Sequence, residues 1–311
     1  MSFFIFIIFE KIHFSFYLDT RSFTMGFQPF KTFLFGFAFS PSLRANVFEV
    51  IRLASFFKAT LLLIHVGEKN SSKEQQFEAL INECPEKPAS IEVHWRSGEP
   101  VATILKACDE FNVDLLLLGA LKRENMVKFY LGSIARKLTR KAPCSVLLML
   151  KPSEERRPCK HIVVNGFDSL QTRETLEASF YVSLSLGTEK ITIVEEISES
   201  LVAITVDDDR SLRKATIKKE RINRVEKNRV HDIVRSFSSE QIGNVSWGTQ
   251  SIFGRRGYSI GHYARVVRAD LLIMNAQEES SFFGRFFPKD LEHILAELPT
   301  DVLIVKTNSN G

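Results

Sequence analysis

Nearly unbroken apolar runs of five or six residues alternate along the chain with longer stretches whose apolar residues recur every third or fourth position. Leu61–Val66, Asp114–Leu118 and Val146–Leu150 are runs of the first kind, the pattern of strands covered on both faces of a parallel sheet. Ser42–Ala59, Glu74–Asn82, Pro100–Phe111 and Ser133–Lys141 are of the second kind and predict helices. Alternation of this sort predicts a doubly wound α/β unit with right-handed crossovers. Ligands on such sheets bind beyond the carboxyl ends of the strands, where strand order reverses. Function is therefore sought just after Phe39, Val66 and Leu118.

The plan occurs twice. Lys31–Ser40 (KTFLFGFAFS) parallels Lys160–Ser169 (KHIVVNGFDS) at an offset of 129. Val113–Ala120 parallels Ala269–Ala276, Pro143–Met149 parallels Pro299–Val305, and Gly98 parallels Gly254, all at an offset of 156. The second unit thus has 27 extra residues in its middle. The polar, proline-bracketed stretch Pro152–Pro158 reads as the linker, giving domains over 25–151 and 159–308.

A length of 311 residues agrees with two domains at about 150 each. Hydrophobic residues at 44% and charged residues at 25% are ordinary for a globular chain and exclude wholesale disorder. A net charge of +4 is too mild to mark a nucleic-acid binder. Cys84, Cys108, Cys144 and Cys159 form no C-x-x-C pair, so neither a zinc ribbon nor a disulfide scaffold is expected, and reduced thiols fit a cytoplasmic protein. The apolar run Met1–Phe9 is too short to span a bilayer and lacks the flanks of a signal peptide. Met25 stands just before the first strand pattern. The expectation is that translation starts there and that residues 1–24 are an extension.

After Leu118 the chain reads Gly119-Ala-Leu-Lys122, then nine residues, then Gly132-Ser133 and a helix. Glycines admit close approach of a phosphate, and Gly-Ser at a helix N-terminus offers free amides, a hydroxyl and the positive end of the dipole. This spacing, followed by Lys141-Ala-Pro-Cys-Ser-Val-Leu-Leu148, resembles the universal stress protein family, whose nucleotide-binding members carry G-x2-G-x9-G-[ST] here. Phe39-Ser-Pro-Ser42, Ile64-His-Val66 and Gly98 are similar to that family as well. The resemblance covers 31–151 well and 160–307 more faintly. It implies two flavodoxin/Rossmann-like doubly wound α/β domains, each with a mainly parallel five-stranded sheet of order 3-2-1-4-5, packed as an internal pseudo-dimer.

Two departures bear on the ligand. The family's second glycine is Lys122, and Ala38 stands where its acidic residue follows the first strand. What remains is Gly119, Gly132 and Ser133 as a phosphate cradle, with ATP as the candidate cofactor of the first domain. A plain helix cap is the alternative for Gly132-Ser133. In the second unit the corresponding positions hold Asn275, Glu278, Pro288 and Lys289, and Asp168 falls one position from the expected carboxylate. Proline donates no N–H and Glu278 repels phosphate, so no nucleotide is expected there.

The extra residues include a helix pattern over about 209–237. Leu212, Ala215, Ile222, Val225, Val230, Ile233 and Phe237 fall on one side at about 100° per residue. Nine Lys/Arg lie between Arg210 and Arg229 against Glu220 and Glu226, making the outer face basic. That face is either solvated over a sheet edge or a dock for an acidic partner. No catalytic or metal-binding residues are expected: G-x-x-x-x-G-K-[ST], H-E-x-x-H and G-x-S-x-G are absent, Ser259-Ile-Gly-His-Tyr263 reads as a packed helix start, and His65 and His94 read as strand residues. The family resemblance implies a non-enzymatic stress-response regulator acting through protein partners, with no membrane or nucleic acid, and with a further homodimer left open. An ATP sensor using Gly119, Gly132 and Ser133, and a slow ATPase or nucleotidyl transferase on the same loop, are the alternatives.

Overall fold

A computed structural model describes residues 27–122, 129–201, 204–276, 279–281, 284–286 and 289–306; the expected extension 1–24, Glu278 and Pro288 lie outside them. In the first half the elements are β1 (Thr32–Phe37), α1 (Leu43–Phe57), β2 (Thr60–Val66), α2 (Ser71–Glu83), β3 (Ser90–Arg96), α3 (Pro100–Glu110), β4 (Leu115–Gly119), the short β5 (Leu121–Lys122) and β6 (Phe129–Tyr130), α4 (Ser133–Lys141) and β7 (Ser145–Met149). The second half has β8 (His161–Asn165), α5 (Thr172–Leu186), β9 (Lys190–Ser198), α6 (Asp209–Arg235), α7 (Ser239–Ile242), β10 (Ser246–Gly254), α8 (Tyr258–Val266), β11 (Leu271–Asn275), the short β12 (Glu279–Ser281) and β13 (Gly284–Phe286), α9 (Lys289–Ala296) and β14 (Asp301–Val305).

Ten strands form one sheet in the order β10-β9-β8-β11-β14-β7-β4-β1-β2-β3. Each half alone has the expected order 3-2-1-4-5, with every pairing inside it parallel. The halves join through their fifth strands, β7 and β14, which run antiparallel with Leu147 opposite Leu303. Those two leucines are themselves 156 residues apart, so a pseudo-two-fold axis passes between them. Arg140 of α4 holds Glu292 of α9 by two hydrogen bonds of 2.8 Å, and Arg136 reaches the Leu295 carbonyl.

The register shows where the longer second half grew. Phe33 and Ile162 are equivalent at an offset of 129, Leu61 and Ile191 at 130, Ile91 and Trp247 at 156. One extra residue lies before the second strand, and the others lie between the second and third. They do not add an independent helix: α6 takes the place of α2 and extends it to 27 residues, with α7 appended. Asp208 and Ser211 start α6 with a reciprocal cap.

Alternating side chains of the strands face two apolar layers. Phe33, Phe35, Phe37, Leu61 and Leu63 meet α1, α2 and, across the pseudo-axis, the α5 layer. Leu34, Leu62, Ile64, Leu116 and Leu118 meet the layer of α3, α4, α8 and α9. A polar clamp is duplicated as well. Asp114, just before β4, accepts the Lys31 and Thr32 amides at 2.8 and 2.9 Å, and Asp270 does the same for Lys160 and His161. Each carboxylate satisfies amides that the sheet leaves open at the start of its first strand. The connecting segment is tied down by Arg52 of α1, which is 2% exposed and donates to Glu49, Glu86 and the carbonyls of Ser153, Glu154 and Glu155.

On α6 the expected inward face holds only in part. Ala215, Val230 and Phe237 are buried, whereas Leu212 and Val225 are 53% and 58% exposed. Leu212 lies in the first turn. Val225 points about 80° away from the buried stripe, whose place there is taken by Glu226.

Candidate functional site

In the first half, Gly119 ends β4 in register with Met149, and Ala120 N–H donates to the Met149 carbonyl. Just beyond it β5 and β6 pair antiparallel, with Leu121 opposite Tyr130. Gly119 and Gly132 therefore flank this antiparallel pair, which brings together the predicted cradle residues across twelve positions of chain. Gly132 is the N-cap of α4 in extended backbone, makes no side-chain cap, and leads to exposed Ser133. The first amides of α4 are thus open to an acceptor. Lys122 is the second residue of the short strand β5.

Over Gly119 the space is taken. A Cβ there would come 2.8 Å from Asn46 Oδ1, and that oxygen is buried with no hydrogen-bond partner among the described residues. The Asn46 amide itself donates to the Ser42 carbonyl at 2.8 Å, fixing the side chain against the turn that starts α1.

Beyond the ends of β1 and β2, where the resemblance expects a nucleoside, the crevice is packed with rings. Phe37 stacks on Phe77 at 3.8 Å between centroids, Phe39 lies 6.3 Å from Trp95, and His65 lies 4.9 Å from Trp95. His65 of β2 is buried and its Nδ1 is 3.1 Å from the Phe37 carbonyl. Each ring pair is worth about 0.5–1.5 kcal/mol beyond area burial, so the cluster resists opening. A groove of about 570 Å³ opens instead beside Phe39, between Pro41, Arg44 and Leu80; none of Gly119, Gly132 and Ser133 lines it.

The second half fills the same crevice with polar groups. Glu195 of β9 occupies the place of His65 and is 2% exposed. Arg229 of α6 reaches in from above, donating to the Gly166 carbonyl at 2.6 Å and to Glu226 at 3.0 Å, with Asp168 at 3.7 Å. Arg229 thus does not belong to the basic outer face on which the periodicity counted it. Glu195 Oε1, Asn223 Oδ1 and Arg229 Nη1 are buried without a hydrogen-bond partner among the described residues. Burial outweighs the attraction of Arg229 and pushes the Glu195 carboxyl up to about 7. Asn275, at the position of Gly119, donates to Ser169 and closes the crevice from the other side. Lys289 begins α9. Next to these, buried Glu196 accepts from the Gly257 and Ile260 amides and so caps α8, which fixes Ser259–Tyr263 as a helix start.

Sequence reasoning missed both fillings. Trp95 and Phe77 come from segments remote from Phe39. Glu226 and Arg229, however, fall on the inward side of α6 at 100° per residue, a legible sign that charged groups are buried there. Among the described residues no group of three or more His, Cys, Asp and Glu could hold a metal ion, and no helix is long and apolar enough to cross a membrane. The hydrogen bond with the neighbouring Cys144 thiol, and then burial, raise the Cys108 thiol, and burial pushes Cys159 up to about 12, so both stay protonated.

Residues 69–149 match the model of the universal stress protein family. Among solved structures, a functionally unknown protein from Pseudomonas aeruginosa is 16% identical with a TM-score of 0.64, over 90% of this chain and 93% of that one. A universal stress protein from Archaeoglobus fulgidus is 16% identical with a TM-score of 0.59, over 89% and 98%. The cytoplasmic domain of a prokaryotic cation chloride cotransporter is 14% identical with a TM-score of 0.52, over 90% and 97%. These identities carry the two-domain fold and nothing finer. No curated protein matches the sequence.

Proposed function

We propose that this chain, whose residues 69–149 are a universal stress protein family domain, is a cytoplasmic regulatory protein of the stress response that acts by binding protein partners rather than by turnover. The observation that supports this is the state of the two crevices at the strand carboxyl ends. One is packed by Phe37, Phe39, His65, Phe77 and Trp95, and the other is held shut by Arg229 and Asn275. A site for turnover needs a reacting group beside open space, and each crevice offers its side chains to its own packing instead. The domain limits 25–151 and 159–308 follow from the same reading.

The open α4 N-terminus favours a second reading, ATP held at Gly119, Gly132 and Ser133 as a sensor ligand, its phosphates on the amides of Ser133 and Ile134. A thermal-shift titration of the full chain with millimolar Mg·ATP, paired with a phosphate-release assay, separates the two. The regulatory reading expects no shift and no phosphate above the blank. A saturable shift that Ser133→Asp abolishes supports the sensor, and phosphate release that Ser133→Asp abolishes makes the chain an enzyme.

A further inference from the structure

On its α1 and α5 face, the sheet joined through β7 and β14 has a gap in the cover over its central strands. On the layer of α1 and α5, α1 packs on β1 and β2, and α5 packs on β8 and β11. Between these helices the sheet presents Leu115, Leu147, Leu271 and Leu303 to a cavity of about 410 Å³ walled by Leu53, Phe57, Val182 and Leu186. Small-molecule sites fall in the range of about 300–1,000 Å³ and favour domain junctions. Both halves and the segment that joins them line this cavity, and it lies apart from both crevices described above.

Its mouth is cationic. Arg156 and Arg157 enter from the connecting segment, and Arg265 and Arg268 from the end of α8. Arg156 lies over the Phe56 ring at 4.8 Å and Arg265 is 3.3 Å from Glu297. Arg268 is exposed and has no ion-pair partner among the described residues. The three acids of the lining are engaged inward. Glu49 accepts from Arg52 and the Ser153 amide, Asp270 from the Lys160 and His161 amides, and Asp301 from the Leu150 amide at 2.7 Å. Arg157 is near enough to lower Glu49 and Asp301, yet burial still raises both, Asp301 to about 7. Four arginines thus stand at the mouth, while the oxygens of the three acids are turned to Arg52 and to backbone amides.

We infer that the junction cavity binds an amphipathic anion: an alkyl or aryl tail seated on the leucine floor, with a carboxylate, sulfonate or phosphate monoester head among Arg157, Arg268 and their neighbours. A neutral apolar ligand would leave the arginines unused, and a nucleotide would set a polar base on leucine and phenylalanine without the hydrogen bonds that it loses from water. Guanidinium groups suit such heads because they meet planar oxyanions with paired N–H donors. The inference does not depend on the state of Gly119, Gly132 and Ser133.

The test is a titration of the full chain with 1-anilinonaphthalene-8-sulfonate, an aryl sulfonate that brightens in apolar surroundings. One saturable site per chain is expected, displaced by decanoate but not by decyltrimethylammonium. Arg157→Glu with Arg268→Glu should weaken the probe at least tenfold, and Leu186→Trp, which fills the cavity, should abolish it. Thermal melting shows whether each variant is folded, and since both arginines are exposed the double variant keeps the test valid if Leu186→Trp unfolds. Arg213→Glu with Lys214→Glu on α6 should leave binding unchanged. No saturable binding, equal displacement by the cationic detergent, or an affinity unchanged by reversal of Arg157 and Arg268 would each overturn the proposal.

Discussion

Replacing Glu195 by glutamine should stabilise the second half of the molecule, and only at neutral or alkaline pH. The side chain is 2% exposed, one carboxylate oxygen has no partner among the described residues, and the other meets only Ser251 at 3.3 Å. Burial is the largest influence on its ionisation. It outweighs Arg229, which favours the charge, and Glu226 works in the same direction as burial. The carboxyl therefore titrates near 7 in the folded protein against 4.5 in the free chain. Between those values the unfolded chain binds fewer protons than the folded one, so stability falls as pH rises from about 4.5 to 7 and levels off above. At 1.36 kcal/mol per unit, ionising Glu195 in place costs about 3 kcal/mol as a ceiling. Glutamine keeps the shape and removes the charge, at the loss of the attraction to Arg229, so a gain of about 2 kcal/mol at pH 8 and close to none at pH 4.5 is expected. The assay is thermal or urea unfolding followed by Trp247 fluorescence in a Trp95→Phe background, which reports the second half. For a unit of this size the gain corresponds to a rise of about 5 °C in Tm at pH 8. Equal or lower stability of the glutamine variant at pH 8 would mean that Arg229 fully compensates a charged Glu195, and the burial argument would fail.

Three further outcomes follow from neighbouring features. Arg229→Ala removes the cation that faces Glu195, Glu226 and Asp168, and should destabilise by about 3 kcal/mol at pH 8 but visibly less at pH 5, as measured in the same unfolding series. Gly119→Ala brings a methyl to 2.8 Å from Asn46 Oδ1, and should cost about 1 kcal/mol of stability that Asn46→Ala restores in the double variant, if Asn46 rather than a phosphate explains the glycine. Charge reversal of Arg213, Lys214, Lys218 and Lys219 should leave Tm within about 2 °C, since exposed helix charges contribute little. Partner recovery in a pull-down then decides between a docking face, which the reversal disables, and a solvated one, which it leaves unchanged.

The sheet was readable from the chain because its signal is local and repeated. Val146–Leu150 and Ser133–Lys141 carry their own periodicity, and the offset between Val113–Ala120 and Ala269–Ala276 sets two equivalent fourth strands side by side in the alignment. What lay out of reach depends on contacts between distant segments. Nothing near Phe39 foretells that Trp95 and Phe77 will close over it, and the two-residue strands β5 and β6 are too short to show any period. Arg52 illustrates the limit in the other direction. It sits in the apolar run Val50-Ile-Arg-Leu-Ala54, whose local pattern does not mark it, yet it is the buried anchor of the segment that joins the halves. Gly132 keeps open amides at the start of α4, whereas the crevices beyond the strand ends are filled by side chains and an apolar cavity of about 410 Å³ lies at the junction, on the α1 and α5 face of the central strands. The arginines at that junction come from the connecting segment and from the end of α8, which belong to no ligand motif, so only the folded arrangement sets them around one cavity.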